Sequence, residues 1–133
     1  NNKAKMQENI SNGKAYEKLI QMVQNQGGDI SYLNDTNKFE KAKYIIPVES
    51  KTSGIIKEIN AEEVGKVACF LGAGRLKKED KIDNSAGITL NKKVGDYVEE
   101  KEVIAYINTN YEEKIEYAKS KILEIWKIIK NVY

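Results

Sequence analysis

Apolar residues in the first part of the chain recur at helical spacing. Between positions 14 and 26 they lie three or four residues apart, which puts them on one face of a helix. They are Tyr16, Leu19, Ile20 and Val23. Ser11 or Asn12 can cap the start of this helix, and the glycine pair 27–28 can close its end.

The period changes after position 42. Two short runs rich in β-branched residues, 44–48 and 54–59, are bounded by turn-forming residues and predict two strands. Pro47 lies inside the first run. Because proline has no N–H to donate to a strand ladder, it predicts an edge strand or a bulge at this point.

A second amphipathic helix is predicted to begin after Asn60. Asn60 is a favourable N-cap residue, and Glu63 follows three positions later, as in a capping box. The apolar residues that follow keep helical spacing up to Gly72, so we expect them to be buried. They are Val64, Val67, Ala68 and Leu71.

Further strands and a last helix complete the pattern. Strands are predicted at 87–90 and 103–108, with a turn at 92–96 between them. From 112 to 131 the apolar residues return to helical spacing, which predicts a long C-terminal helix. This stripe consists of Ile115, Ala118, Ile122, Ile125, Trp126 and Ile129. The order of elements predicts an α+β fold in which helices cover one face of a small mixed or antiparallel sheet.

Shifts in composition divide the chain into three parts. Residues 1–28 are predicted to be helical, and 1–10 resemble the remainder of an earlier helix whose partners lie upstream. Residues 29–41 are rich in Asn, Asp, Gly and Ser and predict a linker, and 42–133 form the α+β domain. The first residue is not methionine and no apolar signal-peptide core follows, so we expect a truncated or processed start.

The charge balance gives no indication of a polyanionic partner. With 22 basic and 20 acidic residues the net charge is +2, so neither nucleic acid nor an anionic membrane is predicted to bind. No apolar run approaches the roughly 20 residues that a membrane-spanning helix needs. The single cysteine cannot pair within the chain, which favours a reducing, cytoplasmic setting.

The absence of histidine restricts the candidate chemistry. With Cys69 as the one cysteine, no Cys/His zinc site can be assembled, and no metal site is predicted. Cys69 stands in an apolar run with no histidine to activate it, so we expect it to be buried. Trp126 is expected to belong to the core or to a docking face.

The most informative motif is Gly72-Ala73-Gly74-Arg75. Glycines of phosphate-binding loops stand between a strand and the positive N-terminus of a helix, whereas this motif follows a predicted helix and lies at its negative end. A helix-terminating turn is therefore the structural interpretation. The functional alternative is that the small residues let a ligand or another segment approach the backbone, with Arg75 as a cation beside them.

Residues 92–98 predict a strand, a turn and a second strand, with Gly95 and Asp96 in the turn. Similar turns occur in biotinyl and lipoyl carrier domains. Those domains present a lysine at the hairpin tip with flanking residues such as Met-Lys-Met, which this chain lacks. A structural turn is the preferred interpretation, and a non-catalytic binding or carrier module of barrel-sandwich type is the alternative.

Two long segments, Ala68–Asp83 and Leu90–Asp96, carry a family resemblance. Shorter segments support it in the same order, and together they extend from about 12 to 107; they lie at 12–15, 26–29, 42–44, 53–56 and 59–65. The ordered set resembles the C-terminal domain of pyrimidine-nucleoside phosphorylases, the group that includes thymidine phosphorylase. The resemblance implies hammerhead-like hairpins, related to the barrel-sandwich fold, within the small sheet.

The resemblance also implies a reaction that belongs to a larger enzyme. The family carries out reversible phosphorolysis, in which phosphate attacks the anomeric carbon of a uridine- or thymidine-type nucleoside and releases the base and a pentose 1-phosphate. The groups that bind phosphate and base belong to larger N-terminal α/β and helical domains, which also form the homodimer interface. No catalytic residue is therefore assigned to this chain, and phosphate is the co-substrate without any further cofactor.

In this family the chain corresponds to the smaller lobe, which closes on the cleft after substrates bind and excludes water. Four residues then become the candidate cleft-facing loop, with Arg75 as the charged contact. They are Gly72, Ala73, Gly74 and Arg75. A related phosphorylase that acts on another nucleotide shares this domain plan and is a further alternative.

Two positions depart from the family pattern. Asn91 stands where a histidine is common, so no imidazole can act near that turn. Lys101 stands where a glycine often precedes the glutamate that opens the last strand. The second departure predicts a modified hairpin.

Overall fold

The computed structural model describes residues 2–130 of the chain. These residues separate into two compact units, the first ending at Phe39 and the second beginning at Glu40. The point of division lies inside the stretch 29–41 that the sequence predicts to be a linker.

The first unit consists of short helices. They are α1 (Asn2–Ser11), α2 (Lys14–Asn25) and α3 (Ser31–Asn34), followed by a 3-10 turn (Thr36–Lys38). None of the described residues of this unit is buried. Its apolar residues therefore gain little from burial within the unit itself.

The predicted C-terminal end of α2 is present in detail. Gly27 has a φ of 74°, and its N–H donates to the Gln24 carbonyl, while the N–H of Gly28 donates to the Val23 carbonyl. This pair of hydrogen bonds is a Schellman motif. At the other end the N-cap residue is Gly13, which makes no side-chain cap, and not Ser11 or Asn12 as predicted. Asn12 Oδ1, one position earlier, accepts from the Lys14 N–H at 3.1 Å.

The second unit contains two antiparallel sheets of three strands each. Its elements in chain order are β1 (Tyr44–Glu49), β2 (Gly54–Ile59), α4 (Ala61–Ala68), β3 (Gly87–Leu90), β4 (Tyr97–Val98), β5 (Val103–Thr109), α5 (Ile115–Ile125) and β6 (Trp126–Ile129). Sheet A has the order β1-β5-β3 and sheet B the order β4-β2-β6. Neither sheet closes into a barrel, and the predicted α+β class is confirmed.

Pro47 lies on an edge strand, as predicted. β1 pairs with β5 alone, and Pro47 stands opposite Tyr106. The register of this pair shifts between Val48 and Glu49. An edge strand can hold a proline because the missing N–H faces away from the neighbouring strand.

The predicted long C-terminal helix is wrong in its last part. After a 3-10 turn at Glu112–Lys114, α5 ends at Ile125, and Trp126 takes an extended conformation. The segment Trp126–Ile129 forms β6 and pairs antiparallel with β2. Aromatic and β-branched residues fit a strand as well as a helix, so pairing with β2 outweighs the helical spacing. The predicted end at Asn131 lies outside the described residues.

The turn at 92–96 connects the two sheets instead of closing a hairpin within one. β3 belongs to sheet A and β4 to sheet B. The turn is held by the Asp96 carboxylate, which accepts from the Lys93 N–H at 2.7 Å, and by Gly95, whose N–H donates to the Ile56 carbonyl at 2.8 Å. The chain thus passes directly from one sheet to the other.

One hydrophobic core unites the elements of the second unit. It includes residues from both sheets, from α4 and from α5. The largest fully buried apolar side chains are Ile56, Leu71, Ile104, Ile107, Ile122, Val48 and Val98. Trp126 is 3% exposed and belongs to this core. Burial of this kind is the main source of the fold's stability.

Candidate functional site

Helix α4 leads into the glycine-rich motif. Asn60 Oδ1 accepts from the Glu63 N–H at 3.2 Å, which confirms the predicted N-cap. Beyond Ala68 the helix widens into a π-helical turn, Cys69–Ala73, in which Gly72 leaves the helical conformation. The motif therefore follows a helix, as the sequence predicts, and stands at the negative end of the helix dipole.

Packing within the chain requires both glycines of the motif. Gly72 has a φ of 125°, and a side-chain carbon there would lie 3.3 Å from Asp83 Cβ. A side-chain carbon at Gly74 would lie 2.8 Å from Cys69 Sγ. Left-handed backbone and close approach are the two conditions that favour glycine. Cys69, predicted to be buried, is half-buried, because the turn leaves it at the edge of the core.

The glycines begin a loop whose base and interior are closed by hydrogen bonds. The Asp83 N–H donates to the Gly72 carbonyl at 2.9 Å. Within the loop, Asp80 Oδ2 accepts from the N–H groups of Leu76 and Lys77 at 3.0 and 2.8 Å. Loops with close ends and internal hydrogen bonds are compact surface structures that often carry function.

Arg75 lies on the exposed surface of this loop. It makes no hydrogen bond or ion pair with any residue between 2 and 130. The stretch 75–83 carries four cationic and three anionic side chains. Asp80 accepts backbone hydrogen bonds and Asp83 takes part in a polar network, which leaves the Arg75 guanidinium available to an anion from elsewhere.

A polar network anchors the base of the loop to sheet A. The Asp83 carboxylate accepts from the Ser85 N–H at 2.9 Å, from the Ser85 hydroxyl at 2.7 Å and from Asn110 Nδ2 at 2.8 Å. Asn110 Oδ1 accepts in turn from the Lys43 N–H at 2.7 Å. The hydrogen bond from the Ser85 side chain is the main cause that lowers the pKa of Asp83 below its usual value.

Sequence reasoning missed this network. Asp83 and Ser85 are two positions apart, a spacing at which aspartate often bonds to the backbone of its own turn, so part of it was detectable. Asn110 lies 27 residues from Asp83, and no local pattern connects the two.

A buried hydroxyl supports the same region. Thr109 is fully buried, and its Oγ1 donates to the Leu71 carbonyl at 3.2 Å and accepts from the Tyr111 N–H at 3.2 Å. Leu71 belongs to the turn that ends the helix, where carbonyls lack helical partners. The end of β5 thus holds the turn in place.

Aromatic rings and a lysine lie against the π-helical turn. The rings of Phe70 and Tyr117 have their centroids 4.8 Å apart. Lys114 Nζ lies 4.3 Å from the centroid of Tyr111 and 5.4 Å from that of Phe70. Contacts of this kind are attractive through the ring quadrupole and fix the outer side of the turn.

The structure also locates the remaining residues of interest. Lys92 forms an ion pair with Glu102 at 2.6 Å, so it is not presented freely as a carrier lysine must be. Asn91 Nδ2 donates to the Val103 carbonyl at 2.7 Å. Lys101 has a φ of 69°, the one positive value outside glycine among the described residues. Lys101 is thus held in a left-handed conformation of the kind that glycine adopts readily, and the modified hairpin stays a prediction.

The described residues include no cluster of three or more His, Cys, Asp and Glu side chains that could hold a metal ion. Over positions 2–130, the helices are too short or too polar to cross a membrane. The site can offer an anionic ligand the guanidinium of Arg75, on an exposed loop whose two ends are held in place by hydrogen bonds.

Comparison with known proteins identifies the domain. Residues 55–129 match the family model of the pyrimidine nucleoside phosphorylase C-terminal domain. The chain belongs to this family. A pyrimidine-nucleoside phosphorylase of Bacillus subtilis (strain 168) is 47% identical over 110 residues, which cover 83% of this chain and 25% of that protein. One of Staphylococcus haemolyticus (strain JCSC1435) is 45% identical over 107 residues, which cover 80% of this chain and 25% of that protein.

The matched region of this pyrimidine-nucleoside phosphorylase domain includes the whole candidate loop and both anchoring residues, Asp83 and Asn110. The chain spans about a quarter of the length of the curated relatives it matches. The predicted family is therefore confirmed at the level of the C-terminal domain.

Proposed function

We propose that this domain is the C-terminal lobe of an enzyme that carries out reversible phosphorolysis of pyrimidine nucleosides. In that reaction the bond between the base and the anomeric carbon breaks, and a bond from phosphate oxygen to the same carbon forms. The products are the free base and a pentose 1-phosphate. The family membership of residues 55–129 is the observation that carries this proposal.

The part assigned to this domain is closure over the cleft. A transition state with a charged phosphate and a positively charged sugar needs positioning and exclusion of water, since water competes with phosphate for the sugar carbon. The catalytic groups are supplied by N-terminal α/β and helical domains, which also form a homodimer, in a cytoplasmic enzyme. Neither a metal nor an organic cofactor is required.

The loop of Gly72, Ala73, Gly74 and Arg75 is the proposed edge that meets the cleft. Two observations support this role. Its base is fixed by the hydrogen bond from the Asp83 N–H to the Gly72 carbonyl. The large apolar side chains of the stretch that follows are exposed, Leu76 by 67% and Ile82 by 48%. Exposed apolar side chains beside an available cation suit a surface that is covered when the lobe closes.

A chimaeric enzyme tests the proposal. The matching C-terminal quarter of the Bacillus subtilis relative is replaced by this chain, and uracil release from uridine and phosphate is measured. We expect the chimaera to be active and the isolated 133-residue chain to be inactive. Robust uracil release by the isolated chain would show that the catalytic groups lie within it.

Arg75→Ala in the chimaera tests the loop. Loss of a charge-assisted contact to an anionic group should lower kcat/KM about tenfold or more. Lys78→Ala is the matched control, because Lys78 is an exposed cation of the same loop, and we expect near-normal kinetics. Unchanged kinetics in the Arg75→Ala chimaera would remove the residue from the site.

A further inference from the structure

A cavity of about 310 Å³ lies between the end of α5, strand β6 and the turn that joins β1 to β2. It shares no residue with the Gly72–Arg75 loop or with its anchoring network. Its volume falls at the lower end of the range found for small-molecule sites.

One wall of the cavity is apolar. Ile104 and Trp126 are 0% and 3% exposed, while Leu123 and Ile128 are partly buried against the core. Such a wall favours a ligand with an apolar body, because burial of that body removes apolar surface from water.

Trp126 contributes an unusual feature to this wall. Its indole Nε1–H is buried and has no hydrogen-bond partner among residues 2–130. A buried donor without an acceptor lowers the stability of the fold, because the group has lost its hydration and gained no hydrogen bond in return. A ligand with an acceptor oxygen beside the ring supplies what this donor lacks.

The rim of the cavity is cationic on balance. Lys51 and Lys127 line it, and neither forms an ion pair with a described residue. Its one carboxylate, that of Glu124, is bonded to Lys121 Nζ at 2.7 Å. Thr52 adds a hydroxyl to the rim. Two lysines against one carboxylate give the rim a net positive charge, which favours a ligand that is negatively charged.

We propose that this cavity binds a small organic carboxylate with an apolar body. The apolar part lies against Ile104, Leu123 and Ile128, and the carboxylate lies between the lysines and the indole N–H. A bare inorganic anion is a poorer fit, since it leaves the apolar wall exposed and loses its own hydration. The proposal is independent of the phosphorolysis reaction, because it concerns binding to this domain alone.

The test uses the complete 133-residue chain labelled with ¹⁵N. The chain has one tryptophan, so a single indole N–H resonance reports on the site. Sodium benzoate is the probe, titrated at constant ionic strength, with benzyl alcohol and inorganic phosphate titrated in parallel. We expect benzoate to shift the indole resonance to saturation, and the neutral and inorganic compounds to bind at least tenfold more weakly.

Three variants distinguish the site from general attraction of anions. Lys51→Gln and Lys127→Gln should each raise the Kd for benzoate about threefold to fivefold, as expected for partly exposed charges. Lys57→Gln is the matched control, because Lys57 is exposed and lies outside the cavity wall, and it should leave the Kd unchanged.

The proposal is overturned if benzoate produces no saturable shift, if phosphate or benzyl alcohol binds equally well, or if both cavity lysines can be replaced without effect. Trp126→Phe keeps an aromatic ring, smaller than the indole, and removes the donor. Its benzoate affinity, read from side-chain methyl resonances, should fall. The lysine variants decide the question even where Trp126→Phe does not fold.

Discussion

Asn110 Nδ2 donates to Asp83 Oδ2 at 2.8 Å and thereby joins the base of the Gly72–Asp83 loop to the end of β5. The same amide side chain accepts from the backbone of Lys43 at the start of β1. One asparagine therefore connects three segments that are far apart in sequence.

Removal of the Asp83 side chain should loosen this junction. We expect Asp83→Ala to lower the free energy of unfolding by about 1–3 kcal/mol, because the Ser85 and Asn110 donors lose a charged acceptor. Urea denaturation measures the change. Asn84→Ala is the neighbouring control and should be within about 0.5 kcal/mol of the parent; equal losses in both variants would contradict the assigned role.

Asp83 should also contribute to the pH dependence of stability. Hydrogen bonds from Ser85 lower its pKa in the folded chain below the ordinary value of about 3.9. The ionised carboxylate therefore stabilises the fold above about pH 4, and this contribution is lost as pH falls through the folded-state pKa. Asp83→Asn should lose less stability than the parent between pH 6 and pH 3. An identical loss in both proteins would show that Asp83 makes no such contribution.

Lys101 carries a backbone conformation that disfavours a side chain. With a φ of 69°, replacement by glycine should raise the free energy of unfolding by about 0.5–1 kcal/mol, after allowance for the greater freedom of glycine in the unfolded chain. Thermal and urea unfolding measure this gain. Lys101→Ala removes the charge but keeps the Cβ, so it should show no such gain, and a stabilised alanine variant would point to charge as the cause.

The buried hydroxyl of Thr109 should contribute measurably to the free energy of unfolding. Thr109→Val keeps the shape but removes a donor to the Leu71 carbonyl and an acceptor for the Tyr111 N–H. We expect a loss of about 1–3 kcal/mol, because the groups left behind are partly buried and unpaired. Thr89→Val removes an exposed hydroxyl that accepts from Asn108 and should cost less than about 0.5 kcal/mol. A smaller loss at Thr109 than at Thr89 would contradict this account.

Local patterns predicted the elements whose signals lie within a few residues. The cap formed by Asn60, the strand at Gly87–Leu90 and the closing glycine at Gly27 are all present. In each case the controlling interaction is short in sequence: a side chain bonds to its own helix, or a glycine takes the conformation that closes it.

Contacts between distant residues decided the rest. Trp126–Ile129 fits a helical stripe, yet β2 provides an edge on which it forms a strand. The turn at 92–96 fits a hairpin, yet the Gly95 N–H and the Asp96 carbonyl both bond to Ile56 of β2. These bonds place β4 in the other sheet. Hydrogen-bonded pairing and burial act between segments, and local spacing cannot tell which segment is near.

The sequence by itself determined the family, the α+β class and the position of the glycine motif after a helix, because these follow from ordered motifs and local periodicity. The tertiary structure alone decided that Asp83, Ser85 and Asn110 meet at the base of that motif. It also decided that an indole without a partner in the described part of the chain lies in the wall of a cavity with two lysines. Polar partners chosen across long loops depend on how the sheets and helices pack, and packing is a property of the whole domain.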